Sequence, residues 1–319
     1  MADVFATRAF NMDAIDLWEI GTSTEPEAKL EDPFTFGSAR YPDRVEAVYE
    51  DGSGSVIFAS SGFMVDEENL TVNGDVTGIF FSGSAGTSGI HSGMQGIAVS
   101  VYDLDSAIAT YWTSDDMDLF ARALFGADNF ELSSSRDLAR GYDGNDRMMG
   151  AGGADALYGG NGRDLVHGDG GKDALYGEGG NDELFGDESA DDLFGGTGRD
   201  KLTGGAGADD MYGGQNDRDR DVFIFTDPSD SRTGDRADTL YDFVEGLDRI
   251  NLQSIDARAS SESDQAFRWS GQTAAKHAVW WTLDKHGISL RGDVDGDKTA
   301  DFAIHVDAVT NVSMNDLLL

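Results

Sequence analysis

The chain has 319 residues, no cysteine, and 60 acidic against 23 basic side chains, for a formal charge of −37 at pH 7. That excess argues against nucleic acid or an anionic membrane as an electrostatic partner, and the missing thiols exclude disulfides and cysteine chemistry. No stretch is long and apolar enough to read as a transmembrane segment. The opening MADVFATRAFNMDAIDLWEI lacks the basic start and unbroken apolar run of a Sec signal peptide.

Residues 1–135 read as a small β-rich N-terminal domain with helices near its end. RVEAVYEDGSGSVIFASSGFMV predicts a hairpin turning near Asp51 and Gly52. NLTVNGDVTGIFFSG and GIAVSVYDL add further strands. SAIATYWTSDDMDLFARALFGADNF predicts helix, with Ser114 or Asp115 as cap before an apolar face of Met117, Phe120, Ala121 and Leu124. The segment Asp115–Phe125 is expected to cover the open end of the following repeats, since a stack needs a cap. Glu46 with Glu50, or Asp66, Glu67 and Glu68, offer carboxylate pairs for glycoside chemistry, but such pairs are common in so acidic a chain. Tyr41, Tyr111 and Trp112 suit either a carbohydrate platform or ordinary packing.

From Gly141 to Tyr212 the sequence has a nine-residue period over eight units. Glycine opens every unit. The sixth place is aspartate throughout: Asp146, Asp155, Asp164, Asp173, Asp182, Asp191, Asp200 and Asp209. The eighth is apolar: Met148, Leu157, Val166, Leu175, Leu184, Leu193, Leu202 and Met211. This period suits neither a helix nor a simple strand, but it suits a parallel β-roll that binds calcium. Glycine permits the turn and exposes its carbonyls, while calcium takes about 6–8 oxygens as a hard cation. The first and third places supply the candidate turn ligands: Gly141 and Asp143, Gly150 and Gly152, Gly159 and Asn161, Gly168 and Gly170, Gly177 and Gly179, Gly195 and Thr197, Gly204 and Ala206. Two units make one coil. One edge is expected to carry Asp146, Asp164, Asp182 and Asp200, and the other Asp155, Asp173, Asp191 and Asp209. Three gaps per edge imply about six or more calcium ions as cofactor.

The consensus GGxGxDxLx resembles that of the secreted repeats-in-toxin proteins, whose stacked turns bind calcium through aspartates and carbonyls. The pattern departs at Glu188 and Ser189, and again after Gly214, where Asn216 and Arg218 stand in the glycine and aspartate places. The repeats are therefore expected to end near Asp217, giving a roll over 136–220. Ser134, Ser135 and Asp137 read as a degenerate leading unit.

Residues 221–319, with DVFIF, DTLYDFVEGLDRINL, HAVWWTL and GISLRGDVDGDKTADFAIHV in order, resemble the C-terminal domain of serralysin-type metalloproteases. That resemblance implies β-structure against the roll and export by a type I secretion apparatus. The export signal would be Asp316-Leu317-Leu318-Leu319, which also fits a core-filling edge strand. Asp293, Asp295, Asp297 and Asp301 have the spacing of a calcium loop, yet they lie between two strand-like segments and fit an acidic hairpin equally well.

The protease itself is absent from the pattern. HExxHxxGxxH occurs nowhere, and the five histidines are His91, His167, His277, His286 and His305. His167 ends a repeat and reads as a side chain on the roll. The fold class is mostly β, a calcium-binding roll flanked by a small β-rich domain and a serralysin-like C-terminal domain. The expected function is that of a secreted, extracellular protein that folds on calcium and serves a structural or interaction role. A binder of extracellular polysaccharide or cell surface, or a metal-independent hydrolase, remain as alternatives.

Overall fold

Each nonapeptide closes on a strand of which the first three residues span places seven to nine, and only the middle one faces inward. Successive units alternate between two facing parallel sheets, so each residue pairs with its equivalent eighteen positions on: Arg147 with Leu165, Leu165 with Glu183, Glu183 with Lys201. The second sheet runs Ala156 to Ala174 to Asp192 to Asp210 in the same way. The computed structural model describes residues 126–319 except Ser133, Ser135, Asn216, Asp217 and 259–264, together with the backbone of nine strands upstream.

The eighth-place side chains form the core. Met148, Val166, Leu184 and Leu202 from one sheet meet Leu157, Leu175, Leu193 and Met211 from the other, all at 0% exposure. Each such side chain contributes about 1.5–3 kcal/mol by leaving water. One unit buries a single large apolar residue, so the stack and not the unit is what can fold.

Stacking extends beyond the repeats in both directions. Asn129–Glu131 pairs in parallel with Arg147–Met149, and Leu138–Arg140 with Ala156–Tyr158. The nonapeptide phase breaks before residue 221, but the sheets do not. Val222 pairs with Lys201, Thr239 with Asp210, and Arg249 with Val222. Leu317–Leu318 then lies beside Ile250–Asn251. The second sheet ends in an antiparallel extension in which Phe302–Asp307 pairs with Gly287–Gly292, and that strand with Ala278–Leu283. The core thickens here, with Phe223, Phe225, Phe243, Leu252, Phe267 and Phe302 all buried.

Upstream, Asp3–Phe5 runs parallel to Asn129–Glu131, and its other side pairs with Ile90–Ser100. Asp75–Gly83, Gly54–Ser60 and Asp43–Val48 follow in antiparallel order. The hairpin expected around Asp51 is thus Asp43–Val48 with Gly54–Ser60. The expected helices, the Ser114 or Asp115 cap and the aromatics Tyr111 and Trp112 lie outside the described residues.

On the outer face of the second sheet, the ninth-place rings stack. Tyr158, Tyr176, Phe194, Tyr212 and Tyr241 lie 4.4–4.7 Å apart, centre to centre, and Arg140 covers Tyr158 at 4.0 Å. The sequence reading did not anticipate this ladder. Such pairs add about 0.5–1.5 kcal/mol each beyond their burial, so the ladder ties coil to coil from outside.

Candidate metal centre

The sixth-place aspartate turns inward beneath the turn, because the opening glycine of its unit leaves room. A Cβ at Gly168 would sit 2.5 Å from Asp173 Oδ2 and 3.0 Å from the Gly186 carbonyl oxygen. At Gly186 the same atom would lie 2.6 Å from both Asp191 Oδ2 and the Gly204 carbonyl oxygen. The place a side chain would fill is therefore lined by one carboxylate oxygen and one carbonyl of the next coil.

The aspartates form two columns linked by hydrogen bonds. On one edge the backbone N–H groups of Asp128, Asp146, Asp164 and Asp182 donate to Oδ1 of the aspartate one coil on, at 2.7–2.8 Å. The column continues through Asp200, Asp221 and Asp248 at 3.0 Å. On the other edge Asp137, Asp155, Asp173, Asp191, Asp209 and Asp238 are joined likewise at 2.7–3.0 Å. Every one of these residues is at most 3% exposed.

In eight of these carboxylates one oxygen is thus used and the other is not. Oδ2 of Asp146, Asp155, Asp164, Asp173, Asp182, Asp191, Asp209 and Asp238 is buried and accepts no hydrogen bond. Buried polar atoms are nearly always satisfied, so a column of such oxygens points to a ligand. A hard cation fits best, because it accepts carboxylate and carbonyl oxygens together. Without it, burial pushes the carboxyls of Asp146 and Asp155 up to about 7, and those of Asp182 and Asp191 up to about 8. Asp164 and Asp209 rise to about 6 and Asp238 to about 9, again through burial, while the N–H bond on Oδ1 pulls each back. Neighbouring carboxylates in the column push Asp182 and Asp191 higher still.

The expected turn ligands are less uniform. Third-place carbonyls at Gly170, Thr197 and Ala206 already accept N–H groups of Gly153, Gly180 and Ser189, at 2.7–2.9 Å. Each carbonyl retains a second lone pair. The departure at Glu188 and Ser189 does not break the turn. Ser189 adopts φ 86°, the left-handed form that Gly171, Gly180 and Gly198 take more freely at the same place.

Five ladder residues escaped the sequence reading as candidate ligands: Asp128, Asp137, Asp221, Asp238 and Asp248. A weaker signal marks them, namely aspartate two residues before a buried apolar strand residue: Phe130, Ala139, Phe223, Leu240 and Ile250. Asp221 lies eight residues after Gly213, whose Cβ would sit 2.7 Å from its Oδ2. The turn has gained three residues and the column then resumes.

The hairpin loop between Gly292 and Phe302 differs. Asp293, Asp295 and Asp297 gather their carboxylates within 4.8 Å, but Asp301 is not part of that group. Asp293 is fully buried, and both of its oxygens accept backbone N–H groups, from Gly296 on one and from His277 and Lys298 on the other. Asp301 accepts from Val294 and Asp295. These carboxylates build the turn themselves. His167 stacks on Phe185 at 4.4 Å and meets Asp187 Oδ2 at 2.9 Å, on the outside of the roll.

The family described as Peptidase M10 serralysin C terminal matches residues 137–319. No curated protein matches the chain. Among the described residues no helix is long and apolar enough to cross a membrane.

Proposed function

Because the chain belongs to the serralysin C-terminal family and is a calcium-binding repeats-in-toxin roll without a protease motif, we propose that it is exported unfolded and folds outside the cell on calcium. The supporting observation is the double column of buried carboxylate oxygens that accept no hydrogen bond. Calcium neutralises charges that burial otherwise penalises, so metal binding and folding are one equilibrium. About six ions or more occupy the gaps between ladder aspartates, held by Asp146, Asp155, Asp164, Asp173, Asp182, Asp191, Asp200 and Asp209 with turn carbonyls. In the hairpin, the carboxylates of Asp293, Asp295 and Asp297 lie close enough to share one further ion, while Asp301 serves the turn through the N–H groups of Val294 and Asp295.

Export by a type I apparatus is supported by the placement of the terminal segment. Asp316 is fully buried, its carboxylate receives N–H groups from Gly246 and Ser313, and Leu317 is buried beside Ile250. Asp316 and Leu317 of the export signal are accessible only before folding, which suits a chain that stays open at low cytosolic calcium. Residues 1–135 are then carried as a β-rich unit on the first coil, residues 136–220 as the roll, and 221–319 as its cap.

Far-UV circular dichroism of the whole chain during a calcium titration tests this reading. Strand signal should rise cooperatively from chelator to millimolar calcium. Equal strand content for the roll at both ends of the titration would refute it.

A further inference from the structure

We infer that one edge of the roll is a binding groove for an acidic polysaccharide. The inference rests on the calcium-folded roll proposed above and gives its interaction role a ligand class. The fifth place of the nonapeptide is fixed neither by the turn, nor by the core, nor by the aspartate column. On one edge it reads Asn145, Arg163, Asn181, Arg199; on the other it reads Ala154, Lys172, Ala190, Ala208. The structure gives the first alternation a reason. Asn145 Oδ1 accepts the Arg163 N–H at 2.7 Å, and Asn181 Oδ1 accepts the Arg199 N–H at 2.9 Å. Each asparagine pins the backbone of the arginine one coil on. Further along, Arg220 precedes Asp221 just as Arg163 and Arg199 precede Asp164 and Asp200. Its Nε donates to the Leu247 carbonyl at 3.1 Å.

These three arginines and Lys201 line one cavity of about 340 Å³. They are four of the seven basic residues between Gly141 and Asp221, in a chain with 60 acids. The acidic groups at the same cavity are Glu183, 3.4 Å from Lys201 Nζ, and the ladder residues Asp182 and Asp200. Calcium claims those two ladder carboxylates. The calcium-loaded groove then holds four cations against Glu183, and it exists only while calcium keeps the roll folded. Calcium and an anion therefore favour each other at this edge, reciprocally.

The geometry also selects the anion. Strands lie about 4.8 Å apart, so Arg199 and Arg220 stand one step apart and Arg163 two steps further back. A guanidinium fork pairs with a carboxylate through two parallel hydrogen bonds. A row of such forks in a narrow groove fits a linear chain bearing a carboxylate at regular intervals. A nucleic-acid duplex needs a broad basic face, which a net charge of −37 denies.

The test is calorimetric titration of the full chain in calcium at low ionic strength, with a short oligogalacturonate too small to gel. Binding should weaken with salt. The double variant Arg163→Gln/Arg199→Gln should lose roughly tenfold in affinity per arginine. Lys172→Gln, on the opposite edge, should bind as the parent does. Circular dichroism should show that the double variant still folds on calcium, which separates a lost groove from a lost roll. Undiminished affinity in the double variant overturns the proposal, as does equal binding of neutral dextran or tighter binding of an oligodeoxynucleotide. Calcium-induced folding without oligogalacturonate binding overturns the groove alone, while absence of calcium-induced folding overturns the reading beneath it too.

Discussion

Replacing Asp182 by asparagine should move the two states of the roll in opposite directions. Asp182 is 1% exposed; its Oδ1 accepts the Asp164 N–H at 2.8 Å and its Oδ2 accepts no hydrogen bond. Asparagine keeps the acceptor and removes the charge. Burial, with the charges of Asp164 and Asp200, lifts this carboxyl from 3.8 to about 8 in the calcium-free fold. At pH 7.5 that opposes folding by at most about 5 kcal/mol. Water at the turn edge and proton sharing along the column reduce this to about 1–3 kcal/mol. The amide NH2 lacks an acceptor there and takes back about 1 kcal/mol. Asp182→Asn should therefore stabilise the calcium-free roll by about 1 kcal/mol while weakening the calcium-loaded one, which loses a charged ligand. Urea denaturation followed by circular dichroism reads both, in chelator with a stabilising osmolyte and in millimolar calcium. A variant less stable in chelator but unchanged in calcium would show that the carboxylate is a structural acceptor and no ligand.

The same raised pKa values set a pH dependence. The ladder carboxyls titrate near 3.8 when unfolded and at about 6–8 when folded without calcium. The fold then binds more protons than the open chain, so its stability is fullest below about pH 4 and falls as pH rises through 6–8. In chelator, strand signal should return on acidification from pH 8 to pH 5, and calcium added to that refolded state should release protons in calorimetry. A calcium-free roll that loses structure on acidification would contradict the sign. A smaller effect is expected at Ser189, held at φ 86° where other units use glycine. Ser189→Gly should lower the calcium midpoint of folding, by about 1 kcal/mol in stability, and a raised midpoint would remove the strain argument.

What the sequence made legible is what repetition amplifies. Glycine, aspartate and the apolar eighth place recur in phase, so turn, ligand and core could be assigned together, and the alternation of edges followed from two units per coil. The hairpin around Asp51 was legible for a local reason, a turn signal between alternating strands. Where coils gain residues the signal thins. Asp221, Asp238 and Asp248 keep only the aspartate and the apolar residue two places on, a pair too common in an acidic chain to stand out. Asp128 keeps Gly126 as well, but sits at the end of a segment whose apolar spacing also suits a helix. The aromatic ladder was hidden for a different reason. The ninth place faces outward and no calcium or core demand fixes it, so only the register of the sheet shows that Tyr158, Tyr176, Phe194, Tyr212 and Tyr241 meet. The hairpin at Asp293 shows the converse. Its spacing reads as a calcium loop, yet spacing alone does not reveal whether a carboxylate already holds backbone N–H groups.

The unequal distribution of core along the molecule suggests how folding is controlled. Within the repeats each half-coil offers one apolar residue, Leu175 or Leu184 for example, and one buried carboxylate, Asp173 or Asp182. Apolar gain and charge penalty therefore grow together, coil by coil, and adding coils alone does not tip the balance. Calcium changes the sign of the second term at each step, which couples neighbours because each turn serves two gaps. Beyond Asp221 the proportion shifts. Phe223, Phe225, Phe243, Leu252 and Phe302 bury a broader core around fewer ladder aspartates. This end can form a nucleus with less dependence on the metal, and the columns through Asp221 and Asp238 hand its register to the last repeats. A chain built this way should remain open when calcium is scarce and, once calcium is present, should fold along the stack from its thickest end.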